Sequence, residues 1–241
     1  MKRRLFPALA LAIACVCSTC SVQAEGWLFD TEATFFKAHL ETGHDADGAT
    51  DYEASPRLAL TYMSSADVGV RMTYWEWNHS ADVVETRFDF MDTYNLDVEL
   101  VKQLTFTQNT LVEVTAGLRN NNTDASFGGS VDNFDGIGGL IGAKLGLMTS
   151  GGGLVYARAK TAILGGDSED SITGELFDAV RQQTELGVGF EKSIQVGSMT
   201  ITPRSGFEWQ NWSGFAIDPV DEHADASVGF IGFVGGVGMT Y

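Results

Sequence analysis

The sequence predicts an all-β chain that closes as a transmembrane, antiparallel, up-and-down β-barrel of about ten strands, with eight or twelve as alternatives. Three observations predict it. Ten segments alternate apolar and polar residues with period two, and no helical period competes. The links between segments alternate short and long along the chain, as the periplasmic turns and external loops of such barrels do. The closing stretch from Gly229 to Tyr241 reads GFIGFVGGVGMTY and ends on an aromatic, which suits a strand whose outer side meets lipid.

The segments follow a leader. Met1 to Ala24 carries Lys2, Arg3 and Arg4, an apolar run from Leu5 to Val16, and then Val22-Gln23-Ala24, a small-x-small cleavage pattern. Residues 1–24 are therefore expected to be a signal peptide for Sec-type export, and 25–241 a single barrel domain. The leader's apolar run is too short to span a bilayer, and no later stretch offers eighteen uninterrupted apolar residues. A chain of this kind in a membrane must cross it with strands. Cys15, Cys17 and Cys20 all lie in the leader without a good lipoprotein motif, so no disulfide staples the rest. The formal net charge of −17 becomes −20 when the leader's three basic residues are lost, which argues against nucleic acid as a partner.

In chain order the ten segments are Trp27 to Leu40, Pro56 to Met63, Val68 to Trp77, Phe88 to Lys102, Leu111 to Arg119, Ile137 to Leu147, Leu154 to Leu164, Gln182 to Glu191, Met199 to Trp212 and Gly229 to Tyr241. The fourth has the sharpest contrast, with Tyr94, Leu96, Val98 and Leu100 against Asn95, Asp97 and Glu99. Short links are expected at Ser64 to Asp67, Gln103 to Thr110, Thr149 to Gly153 and Ile194 to Ser198. Longer ones are expected at Gly43 to Ala54, Asn78 to Arg87, Asn120 to Phe134, Gly165 to Arg181 and Ser213 to Ala226, with a short helical turn at Leu176 to Val180. An even strand count leaves both ends on the periplasmic side.

Period two assigns the faces. The lumen is expected to hold Asp30, Glu32, Asp97, Glu99, Glu113, Glu185 and Glu208 with Arg57, Arg71, Lys144, Arg158, Lys160 and Arg204. Both signs are present in similar number, so the network either plugs the barrel by mutual neutralisation or forms a charge-selective constriction. Inward glycines bear on the same choice, either as space or as kinks that let the sheet curl. Aromatics expected at the membrane interfaces are Trp27, Phe35, Tyr74, Trp77, Phe88, Trp209, Trp212 and Tyr241. The outer face of the last strand carries Phe233, Val237, Met239 and Tyr241, an ending similar to the signal that the barrel-assembly machinery reads in bacterial outer membranes.

Other candidates are weaker. Asp45, Asp47, Asp51 and Glu53 place carboxylates around a glycine, a set of hard-cation ligand types whose spacing does not match an EF-hand loop. No resident metal and no cofactor is expected. His39, His44, His79 and His223 fall at strand ends or in links, and no nucleophile, base and orienting group can be placed together, so an enzyme is not expected. A barrel hydrolase is the remote alternative.

The runs PRLALTYMSSADVGVRMTYWEWNHSA from Pro56, TYNLDVEL from Thr93, TAGLRN from Thr115, GIGGLIGAKLG from Gly136 and the closing GFIGFVGGVGMTY resemble the Legionella-type major outer membrane protein family. Similar barrels occur in planctomycete-like bacteria. The resemblance covers most of the chain after the leader and implies a pore-forming barrel. It departs from the founding type in its shorter length and in having no cysteine after residue 20, which leaves cysteine-linked assembly and channel width without support.

The expected function is that of a narrow passive pore for small solutes or ions in the outer membrane, because ten strands leave little room inside. The alternative is a closed barrel, structural or adhesive, acting through its acidic external loops. Expected partners are outer-membrane lipid and lipopolysaccharide, whose phosphates divalent ions can bridge to the acidic tips, together with the assembly machinery. Porin-like trimers are a family analogy, and a homo-oligomer is left open.

Overall fold

The computed structural model describes residues 26–41, 50–80, 88–107, 109–127, 130–170, 176–216 and 225–241. The expected signal peptide, the candidate ligands Asp45 and Asp47, His44, His223 and the side chain of Phe88 lie outside the described residues.

Eleven strands follow in order: β1 (Trp27–Glu41), β2 (Glu53–Met63), β3 (Val68–Ser80), β4 (Phe88–Thr107), β5 (Thr110–Phe127), β6 (Ser130–Met148), β7 (Leu154–Asp170), β8 (Leu176–Glu191), β9 (Ile194–Val196), β10 (Met199–Ala216) and β11 (Asp225–Thr240). Ten of them make the wall, with β11 between β10 and β1. The ladder from Leu28↔Thr240 to Glu41↔Ser227 joins the first and last strands, so every wall strand has two neighbours and no edge is left unpaired. The fold is a closed, antiparallel, ten-strand barrel. The extra element, β9, is a three-residue ribbon folded onto the start of β10 with Met199 opposite Val196. Its two-residue turn needs positive φ, which Gly197 supplies at 63°. A plain turn was expected there.

Side-chain alternation sorts the two faces. Along β4, Met91, Thr93, Asn95, Asp97, Glu99 and Val101 are buried, whereas Val98 and Leu100 are exposed on the outside. On the β4–β8 wall the outward apolar band runs from Phe106, Leu147 and Phe190 at the turn end up to Ile137 and Val180. Outside water this band is an asset, because lipid tails solvate it.

The wall is taller than expected. Asn120 to Phe134 reads as a link, yet β5 continues to Phe127 and β6 resumes at Ser130. Gly165 to Arg181 also reads as a link, yet β7 runs to Asp170 and Leu176 opens β8 instead of a helical turn. Asn and Asp are poor strand formers by themselves. Here their neighbours decide. Asn121 Nδ2 donates to Asn95 Oδ1 at 3.0 Å and to the Tyr94 carbonyl at 3.0 Å, and the Thr93 and Thr123 hydroxyls meet at 2.8 Å. These bonds continue the sheet on its inner side well past the lipid-facing band.

Candidate functional site

Among the described residues the lumen gathers charges of both signs. At its turn end three ion pairs line the wall. Arg71 Nη1 donates to Glu113 Oε1 at 2.8 Å, Lys144 Nζ to both oxygens of Glu191 at 2.9 Å, and Arg204 pairs with Asp30. Higher up, Arg57 grips Glu208 with two N–H groups at 2.6 and 2.9 Å and reaches Glu32 Oε2 at 3.1 Å. Arg158 shares Glu208, and Arg204 Nη1 shares Glu32 at 3.3 Å. A second group joins Arg119 to Asp97 at 2.7 and 2.8 Å and to Glu185 at 2.6 Å, while Lys160 bonds Asp97 at 3.1 Å and Glu99 at 3.0 Å. All thirteen charges expected in the lumen thus lie on the inner face and in ion pairs.

Above these charges part of the lumen wall is apolar. Phe36, Trp75, Trp77, Trp212 and Phe230 are buried against one another. Phe230 is the hub, with ring centroids 5.2 Å from Trp77, 5.2 Å from Trp212, 6.0 Å from Trp75 and 6.3 Å from Phe36. Two of these rings correct an expectation. Trp77 and Trp212, placed at the membrane interface from their position near strand ends, are 0% exposed and point inward. The strands run on past them to Ser80 and Ala216, and Trp77 shares parity with Arg71 and Trp75, as Trp212 does with Glu208. Trp27, Phe35, Tyr74, Trp209 and Tyr241 do lie on the outer face, where Tyr74 stacks on Tyr94 at 6.2 Å.

One residue of irregularity completes this layer. The register of β10 on β11 shifts between Ser213 and Phe215, at Gly214 with φ 91°. The bulge turns Phe215 inward, out of the phase set by Trp212. Phe215 then covers one face of the Arg181 guanidinium at 4.2 Å and Phe134 covers the other at 4.1 Å, while Arg181 Nη2 donates to Asp132 Oδ1 at 2.6 Å. Arg181 is buried completely. Neither Arg181 nor Asp132 was legible as a lumen residue, because both fall in stretches that read as links. Arg119 and Glu191 were legible by parity and were missed.

The inward glycines do not hold a channel open. A Cβ at Gly187 would meet the Arg158 side chain, at Gly189 the Tyr156 hydroxyl, at Gly232 the Phe36 ring, and at Gly236 the Glu32 side chain. Each bare position is the bed on which a long neighbour lies. The glycine pattern of β8 and β11 therefore lets Arg158, Tyr156, Phe36 and Glu32 reach across the lumen.

On the outer face of the raised wall, above the apolar band, carboxylates face each other. Asp135 pairs in register with Asp167, and Asp167 with Asp178. Like charges directly opposite cost roughly 0.2–1 kcal/mol each. Asp167→Asn is accordingly expected to raise the melting temperature in metal-free detergent by a few degrees, read by loss of β-sheet circular dichroism. Of the acidic set Asp45, Asp47, Asp51 and Glu53, the described members are Asp51 and Glu53, and Glu53 Oε1 lies 3.3 Å from His79 Nδ1.

No protein-family model and no curated protein matches the chain. Solved structures do match. The outer membrane protease OmpT from Escherichia coli aligns with a TM-score of 0.50 at 10% identity, covering 93% of this chain and 99% of that one. The β domain of the Bordetella autotransporter BrkA gives 0.49 at 11% identity, covering 90% and 98%. Neisserial surface protein A gives 0.43 at 10% identity, again covering 90% and 98%. At these identities the likeness shows the fold, that of an outer-membrane β-barrel. It also corrects one expectation. OmpT is a protease on a barrel, so the barrel architecture is no argument that a chain of this kind is not an enzyme; the match assigns no activity to this one.

Proposed function

We propose that this protein is a barrel of the Gram-negative outer membrane, exported by the Sec route, that is closed to ions at rest and acts through its outer face. One observation carries the reading: the aromatic cluster around Phe230 packs within the lumen beyond the ion pairs around Arg57 and Glu208 and the cavity that Arg57 lines. Charges bound to one another are poor carrier sites, and buried rings packed on one another oppose the passage of hydrated ions. The refolded barrel in a planar bilayer is expected to stay silent while remaining heat-modifiable on a gel. Discrete conductance steps would overturn the reading. The rival, a narrow passive pore, draws on the polar cavity at the turn end, and steps whose selectivity changes with Arg158→Glu and Lys160→Glu would establish it.

The partner proposed for the outer face is lipopolysaccharide, its phosphates bridged by divalent cations to Asp135, Asp167 and Asp178. Chelation is expected to sensitise the wild type to detergent in membranes and to leave the triple Asn variant unchanged. Kinship with the Legionella-type family is proposed on the strand motifs that begin at Pro56, Thr93, Thr115, Gly136 and Gly229.

A further inference from the structure

We infer that the turn half of the lumen is a binding site for a neutral, polyhydroxylated solute of monosaccharide size. The cavity runs from Leu28, Met63 and Leu111 at the turn end past Arg57, Arg158 and Lys160 and measures about 220 Å³. That is the volume of about seven liquid waters, which a single pentose or hexose fills. Its charged wall keeps partial exposure, 28% for Arg158, 23% for Lys144 and 21% for both Arg71 and Lys160, while Arg119 is 3% exposed. Trp75 lies at its upper limit. The site is a blind vestibule and does not depend on whether the layer above it ever conducts.

The chemistry of the wall selects the class of ligand. Around the barrel the charges alternate in sign, from Asp30 on β1 through Arg71 on β3, Glu113 on β5, Lys144 on β6 and Glu191 on β8 to Arg204 on β10. Each is already paired with a neighbour, so an entering ion meets attraction and repulsion in equal measure. A hydroxyl group is different, because it both donates and accepts. Paired carboxylates keep lone pairs and paired guanidinium groups keep N–H donors. Two buried polar atoms of the lining have no hydrogen-bond partner, Arg204 Nε and the Thr115 hydroxyl. A donor and a hydroxyl left over in an otherwise saturated network call for a ligand that supplies an acceptor to one and either role to the other. The ring of Trp75 in the same lining offers an apolar face for the C–H groups of a sugar ring, while that of Tyr156 lies under Lys144 Nζ at 4.5 Å.

Isothermal titration of the full barrel in detergent tests this, with xylose and glucose as probes, sucrose as the oversized control, and glycine and sodium chloride as charged controls. The two monosaccharides are expected to bind with dissociation constants on the order of 1 mM, typical of a dozen heavy atoms in a polar site. Sucrose and the charged controls are expected not to bind. Thr115→Val keeps the side-chain shape and removes the hydroxyl, and is expected to weaken glucose about tenfold. Absence of saturable heat with both monosaccharides overturns the inference, as does equal binding of sucrose, preferential binding of glycine or chloride, or indifference to Thr115→Val. Should that variant fail to fold, the size and charge series on the wild type decides alone.

Discussion

Replacing Arg57 with methionine is expected to cost the barrel about 3–5 kcal/mol, measured as a shift in the urea midpoint for unfolding from lipid vesicles. The side chain is 10% exposed and its bidentate partner Glu208 is 1% exposed. Removing the cation leaves Glu208 with Arg158 alone and Glu32 with Arg204 and a distant Arg158, 3.8 Å away. An uncompensated carboxylate in the lumen is the costly element. The argument has a built-in control. Arg57→Met combined with Glu208→Met removes both charges, and the double variant is expected to recover part of the loss because a buried pair replaced by apolar groups is often neutral. If Arg57→Met alone moves the midpoint by less than about 1 kcal/mol, the lumen is wet enough to solvate Glu208, and the closed reading fails with it.

Trp212→Ala is expected to be as damaging and to act by a different route. The ring is fully buried, lies 5.7 Å from Trp75 and 5.2 Å from Phe230, and donates its indole N–H to Gln210 Oε1 at 3.1 Å. Large-to-small changes of this kind cost about 3–5 kcal/mol when the surroundings cannot collapse. A barrel wall held by continuous ladders has little freedom to collapse, so a cavity should persist. The same change opens a gap in the layer above the ion pairs. Bilayer recordings of the variant are therefore expected to show brief conductance steps that the wild type lacks. A destabilised but silent variant would assign closure to the charged layer alone, and a fully stable one would mean that the aromatic layer is not packed as described.

Much of the fold was legible in the sequence because strand side chains alternate with no exception for chemistry. Once Leu96, Val98 and Leu100 are assigned to lipid, Asp97 and Glu99 must face the lumen, and the same count carries Arg57, Arg158 and Glu208 inward. The count is contested where a second rule competes with it. The preference of tryptophan for membrane interfaces argues Trp77 and Trp212 outward, yet parity groups them with Arg71 and Glu208, and both are buried inside. Phe215 is the opposite case, since parity places it outside and the bulge at Gly214 turns it in. Nothing local announces a bulge there except a glycine, and this chain has many.

What the sequence determined by itself is the alternation, and with it the closed sheet, the lipid-facing band and the lumen charges that fall within the ten alternating segments, because these follow from a period of two and the chemistry of single side chains. What only the tertiary structure decided is who meets whom. Arg57 and Glu208 are separated by 151 positions and come together because β11 closes the wall beside β1, which brings β10 round to within two strands of β2. The height of the wall beyond the membrane was settled in the same way, since Asn121 and Thr123 become strand residues only when Thr93 and Asn95 are there to bond them. Pairing across a closed lumen depends on register and shear, which are properties of the whole barrel and are written in no one segment.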